Sequence, residues 1–151
     1  MARNLVASLP ESAIRLNQDA HSWEEAVRIA GDALVASGAT TPAYGQEMVD
    51  AVKTHGPYIV IVPHIALAHS RPGPSVLDDG LSWVSLKTPV EFGHPQNDPV
   101  RVVIGLASMN HDAHIATMAA LAALLGDVQR REEILAVKSV GNLKTLLAAY
   151  A

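Results

Sequence analysis

The sequence predicts an α/β sandwich, and three observations carry that expectation. Two helix-patterned segments with capping signals lie between Ser22 and Gly56, apolar β-branched stretches follow from Tyr58 to Met109, and the carboxyl-terminal third is again helical. At 151 residues the chain is long enough for one ordinary core and short for two, so residues 1–151 are expected to form a single domain.

Each element has a local reason. Ser22 offers an N-cap hydroxyl with Glu25 three residues on, and Trp23, Ala26, Val27, Ala30 and Leu34 recur at helical spacing until Gly38. Thr41-Pro42 opens a second helix, with Tyr44, Met48, Val49 and Val52 on one side and Gly56 as its end. Tyr58-Ile59-Val60-Ile61-Val62 is a continuous apolar run and reads as a strand covered on both faces. Ser82 to Lys87 alternates as a second strand, and Val100 to Met109 makes a third, with a turn-rich loop from Phe92 to Pro99 between them. Asp112 can cap a helix to Leu125, which Gly126 ends; a charged helix runs from Val128 to Val137, and Asn142 can cap a last one.

Composition excludes several classes of function. The net charge is −4, which argues against a basic nucleic-acid binder. The absence of cysteine removes disulfide scaffolds, thiolate zinc sites and cysteine nucleophiles. The longest stretch without Asp, Glu, Lys or Arg, Thr54 to Ser70, is broken by Pro57 and Pro63 and does not resemble a bilayer span of about 20 apolar residues. After Arg3, only Leu5 to Leu9 is apolar before Pro10, too little for a secretory signal, so a cytoplasmic location is expected.

Seven histidines outnumber the one Phe, two Trp and three Tyr, and histidine titrates near neutral pH. His69 ends the apolar segment Ile65-Ala66-Leu67-Ala68, where rigid support can present a side chain at the surface. Neutral imidazole has a free ring nitrogen and can accept a phosphoryl group without a separate base. His111-Asp112-Ala113-His114 stands at the mouth of a helix, where unpaired N–H groups favour an anion. Facing His69, His114 could donate to a phosphate there, with Ser70 and Arg71 as further donors. Each histidine also has a plain reading as a polar residue at the edge of a core, and His21, His55 and His94 read as surface residues. A metal site drawing on His64, His69, His111 and His114 is the chemical alternative, although no glutamate or cysteine ligand accompanies them and no H-E-x-x-H pattern is present.

Together, Gly56-Pro57-Tyr58, the Pro63 to Pro72 segment PHIALAHSRP, the Phe92 to Val100 loop FGHPQNDPV and the Asn110 to Ile115 segment NHDAHI resemble a known family. It is the enzyme IIA component of the mannitol–fructose class of the bacterial sugar phosphotransferase system, in its ascorbate-type branch, and the resemblance runs from Ser12 to Leu147. It implies a three-layer α/β/α sandwich with a small mixed β-sheet. The family's phosphorylated histidine, in an Ala-x-Pro-His-Gly/Ala context, falls on His69 within Ala66-Leu67-Ala68-His69-Ser70, with Ala68 in place of the proline and Ser70 in place of the small residue. His64 also follows a proline, but Arg71-Pro72 and the distance to the Phe92 loop favour His69. The second active-site histidine falls on His114, while His111 and Lys53 receive no role.

The resemblance further implies a cytoplasmic phosphotransferase that takes a phosphoryl group from the carrier protein HPr and passes it to a cysteine of enzyme IIB, while membrane enzyme IIC moves a sugar, ascorbate in this branch. No metal or other cofactor is implied, and a homodimer is left open. Ile65 and Leu67 are the apolar candidates for the docking face. Two other classes stand beside this reading: a regulatory protein like the family's nitrogen-related members, and a histidine-ligated metal hydrolase.

Overall fold

Apolar side chains leave the central strands on both sides, so helices must cover two faces. The structure is a computed structural model and describes residues 5–149; Arg3 and the outermost ends of the expected 1–151 domain lie outside them. Strands β1 (Ile14–Gln18), β2 (Ile65–His69), β3 (Gly80–Val90) and β4 (Val100–Ala107) form one sheet in the order β1-β3-β4-β2. β1 runs parallel to β3 and β2 parallel to β4, while β3 and β4 are antiparallel, so the sheet is mixed.

Helices α2 (Trp23–Ala36) and α3 (Ala43–His55) cover one face, burying Val27, Leu34, Tyr44 and Met48 against Ala66, Ala68, Val84 and Val103. On the other face lie α1 (Leu5–Ser8), α4 (His111–Leu125), α5 (Val128–Leu135) and α6 (Val140–Ala149). Their Leu5, Leu121, Leu124, Ile134 and Leu143 share a second core with Ile65, Leu67, Trp83, Ile104 and Leu106. This is the expected α/β/α sandwich. Among the described residues, no helix is long and apolar enough to cross a membrane.

Small residues let α2 approach the sheet. A Cβ on Gly105 would stand 2.3 Å from Ser82 Oγ and 3.4 Å from the Ala30 side chain. Ser82 is fully buried and donates its hydroxyl to the Ala30 carbonyl at 2.8 Å, which satisfies a polar group that burial would otherwise penalise. Gly31 of α2 crosses Gly45 of α3 as closely, since a Cβ at Gly31 would meet Gly45 Cα at 2.8 Å.

The structure corrects several local expectations. Tyr58 to Val62 is not a strand: Val60 N–H closes a turn onto the Pro57 carbonyl, Tyr58 and Ile61 are exposed, and the strand begins only at Ile65. Pro57 and Pro63 cannot donate to a ladder, and His64 adopts φ 71°, which turns the chain into β2. The unforeseen β1 is a short edge strand, mostly half-buried, without a strong alternating pattern. β3 extends beyond Ser82 to Lys87 at both ends, β4 stops short of Met109, and α5 stops short of Val137.

Capping also differs in detail. Ser22 accepts from Glu25 N–H as expected, but α3 starts after Pro42 without a capping side chain, so Thr41 does not fill that role. Asn110, not Asp112, caps α4 by accepting from Ala113 N–H, and Gly126 ends that helix as expected. In the last helix Ser139 accepts from Asn142 N–H, so Asn142 is the capped residue rather than the cap.

Gly105→Ala is expected to lower stability by about 2 kcal/mol, the size of an overpacked core position, because neither Ser82 nor the Ala30 turn can retreat without breaking their hydrogen bond. Denaturant unfolding of the variant against the wild type measures it.

Candidate active site

The carboxyl end of β2 positions His69. Its neighbours Ile65 to Ala68 are buried and paired in register with β4, so the last residue leaves the sheet from a rigid base. The half-buried ring turns its Nδ1 onto the Leu67 carbonyl at 2.9 Å. A carbonyl only accepts, so Nδ1 carries the proton and Nε2 keeps a lone pair.

His114 comes to the same place from α4. Its ring centroid lies 5.4 Å from that of His69, with the planes at 46°. The cap on Ala113 N–H leaves the amides of His111 and Asp112 at the helix mouth, while His114 N–H already bonds the Asn110 carbonyl. Partial burial holds the His114 pKa below the usual imidazole value, and His69 and His111 push it the same way. The neutral ring therefore dominates at pH 7. Because the folded pKa is depressed, this group's contribution to stability is present above the ordinary imidazole pKa and declines as pH falls below it.

Two tyrosines to which the sequence assigned no site role complete the arrangement. Tyr58, placed in a strand by that reasoning, stands edge-on to His69 with centroids 5.8 Å apart and edge-on to His55 at 6.0 Å. Burial raises its pKa. Tyr44, read only as an apolar helix position, is fully buried and reaches across from α3. Its hydroxyl donates to the Leu106 carbonyl at 2.7 Å and accepts from Ser70 N–H at 3.0 Å. Leu106 is the β4 partner of His69, so Tyr44 ties the two strands just beyond their last pair. Burial pushes its pKa up to about 12 against a lowering by the Ser70 backbone, with Glu47 adding to the rise, so it remains a protonated donor.

His69, His114 and Tyr58 line a cleft of about 940 Å³ that also includes Ser70, Arg71, His55, His111, Glu47 and Asp50, while buried Tyr44 supports it from behind through Ser70. Of the expected site residues, His69, His114, Ser70 and Arg71 are thus brought together, but the Ser70 amide is already occupied by Tyr44. His55 is exposed as expected, yet it belongs to the cleft wall. His64 sits before the opposite end of β2, its Nδ1 on the Pro99 carbonyl at 2.7 Å, and does not join the others. Half-buried His94 is tied into its own loop, where Nδ1 accepts from Gln96 and Asn97 N–H. Lys53 is exposed on α3 outside the cleft lining. Among the described residues no group of three or more His, Asp or Glu is placed to hold a metal ion. Ile65 and Leu67 are completely buried, so they cannot form a docking face; the exposed apolar residues on the segments 56–72 and 109–115 are Tyr58, Ile61, Met109 and Ile115.

Tyr44→Phe is expected to leave Ser70 N–H and the Leu106 carbonyl without their buried partner and to cost about 1–3 kcal/mol. Equilibrium unfolding gives the value, and faster amide exchange at Ser70 locates the loss.

The family model for the phosphoenolpyruvate-dependent sugar phosphotransferase system, EIIA 2, matches residues 7–150. The ascorbate-specific PTS system EIIA component of Escherichia coli (strain K12) is 44% identical over 108 residues, covering 71% of this chain and 70% of the relative. The solution structure of the mannitol-specific cryptic phosphotransferase enzyme IIA CmtB from Escherichia coli superposes with a TM-score of 0.86 at 28% identity, over 97% of this chain and 99% of that one. The enzyme IIA of the Escherichia coli mannitol system, solved in complex with phosphorylated enzyme IIB, gives 0.81 at 32% identity, over 93% and 96% of the two chains. With a model spanning nearly the whole sequence and close relatives of one kind, the chain belongs to the EIIA type 2 family of the phosphoenolpyruvate-dependent sugar phosphotransferase system.

Proposed function

We propose that this chain, acting as one domain, is a cytoplasmic phosphoryl carrier that takes its group from phospho-HPr onto His69 Nε2 and delivers it to a cysteine of a cognate enzyme IIB. The membrane enzyme IIC of the same system then moves the sugar, and ascorbate is the sugar favoured by the 44% identity to ascorbate-specific relatives. The observation that carries the reading is the Nδ1 hydrogen bond to Leu67, which leaves Nε2 as the free nucleophilic nitrogen beside His114.

In the first step the Nε2 lone pair forms a P–N bond as the donor's P–N bond breaks. No proton has to leave Nε2, so the site's work is alignment and charge stabilisation on the transferring oxygens. His114, partly buried and neutral, offers a donor, while the free amides at the mouth of α4 and the Arg71 guanidinium add positive potential. A thiolate of enzyme IIB then takes the group by forming P–S as P–Nε2 breaks. Tyr58, Met109 and Ile115 give the surroundings exposed apolar area for partners that bind in turn.

His69→Ala should fold and accept no phosphate from phospho-HPr, whereas His64→Ala should label normally; the opposite pattern would move the acceptor to His64. His114→Ala should retain labelling but slow transfer by roughly 10²-fold, as for loss of one preorganised donor. Rapid-quench measurement of phosphoprotein formation reads both.

A further inference from the structure

A second cleft lies at the other end of the sheet. His69 marks the carboxyl end of β2, and β4 runs parallel to it, so Arg101 at the amino end of β4 stands on the far side of the molecule from the phosphoryl site. There the sheet and the carboxyl end of α5 enclose about 460 Å³.

Its chemistry differs from the rest of the surface. Lys87, Arg101 and Lys138 border it, and no Asp or Glu lines it, on a chain whose net charge is −4. None of the three cations has a carboxylate partner among the described residues. Arg101 donates one guanidinium N–H to the Leu135 carbonyl at 3.3 Å, which fixes it against α5 and leaves its remaining donors open. The other terminal carbonyls of α5 are taken by Ala136 and Val137 N–H, so the negative end of that helix is largely covered.

The floor supplies an independent observation. Trp83 is 2% exposed and lines the cleft, yet its indole N–H has no hydrogen-bond partner among the described residues. A buried donor without a partner is costly, so the core beneath this floor is not fully satisfied. Leu135 and Val137 add apolar wall, suited to an organic body rather than to a bare ion.

We propose that this cleft binds a small organic phosphate, its oxyanion held by Lys87, Arg101 and Lys138 and its carbon body against Leu135 and Val137. The site is separate from His69 and stands whether or not the relay above is correct.

Calorimetric titration of the full chain with phenyl phosphate, with phenol and inorganic phosphate in parallel, tests it. Saturable one-site binding of the ester is expected, with no binding of phenol, affinity for inorganic phosphate at least about tenfold weaker, and weakening by salt. The exposed pair Lys87→Gln and Lys138→Gln, checked for an unchanged thermal melt, should weaken the ester by about tenfold or more and leave labelling by phospho-HPr intact. His69→Ala should bind the ester as the wild type does. The proposal is overturned by no saturable binding up to about 10 mM ester, by equal affinity for inorganic phosphate, or by binding that survives the lysine pair and disappears with His69→Ala.

Discussion

One phenolic oxygen joins three parts of this molecule. Tyr44 leaves α3, passes through the core and meets the backbone where β2 and β4 part company, holding Leu106 by its carbonyl and Ser70 by its amide. Beyond that point one strand gives up His69 and the other runs on to the cap of α4, which carries His114. The spacing of the two rings is therefore set from the opposite face of the sheet, by a residue that touches neither of them in the hydrogen-bond network. A buried hydroxyl with all its bonds made is a rigid spacer, and rigidity is what a site for in-line transfer needs.

The close packing of α2 and α3 gives that spacer its reach. Gly31 over Gly45 and Ser82 beneath Ala30 bring the helical layer down onto the small residues Ala66, Ala68 and Gly105, where larger side chains would hold it off. The other face is built from large residues, Trp83, Leu67, Ile104 and Leu106, and is covered by α1, α4, α5 and α6. A tight face and a bulky face thus share one sheet, and both histidines emerge near its edge.

Much of this was legible in the residue pattern, and the failures have physical causes. Ser22, Gly126 and the helical spacing of α2 predict their elements because caps and periodicity act locally. The residues alone allowed a pairing of His69 with His114 but did not require it, since 45 residues of chain separate positions that the β2–β4 ladder and α4 bring to 5.4 Å between ring centroids. Ile59 and Val60 are buried as an apolar run suggests, but Pro57, Pro63 and the left-handed His64 convert that run into a turn whose Ile59 carbonyl merely accepts from Leu67. Tyr44 and Tyr58 were invisible as site residues because a tyrosine at helical spacing, or in a β-branched run, is indistinguishable from core packing until its hydroxyl or ring finds a partner. The signal available in advance was the pair of prolines, Pro57 and Pro63, that bracket the run and cannot donate to a ladder.

The Leu67 carbonyl has a consequence for departure as well as arrival. With the proton parked on Nδ1, an imidazole phosphorylated on Nε2 bears a delocalised positive charge, and that charge sits beside the negative end of a peptide dipole. When the P–N bond breaks, the ring leaves as a neutral molecule and not as an imidazolide anion, so no acid is required to assist it. In the proposed relay, gain and loss of phosphate are then near mirror images in their demands, and the direction of flow belongs to the partners. A carrier that stores the group without trapping it follows from two atoms of backbone geometry two residues upstream of the nucleophile.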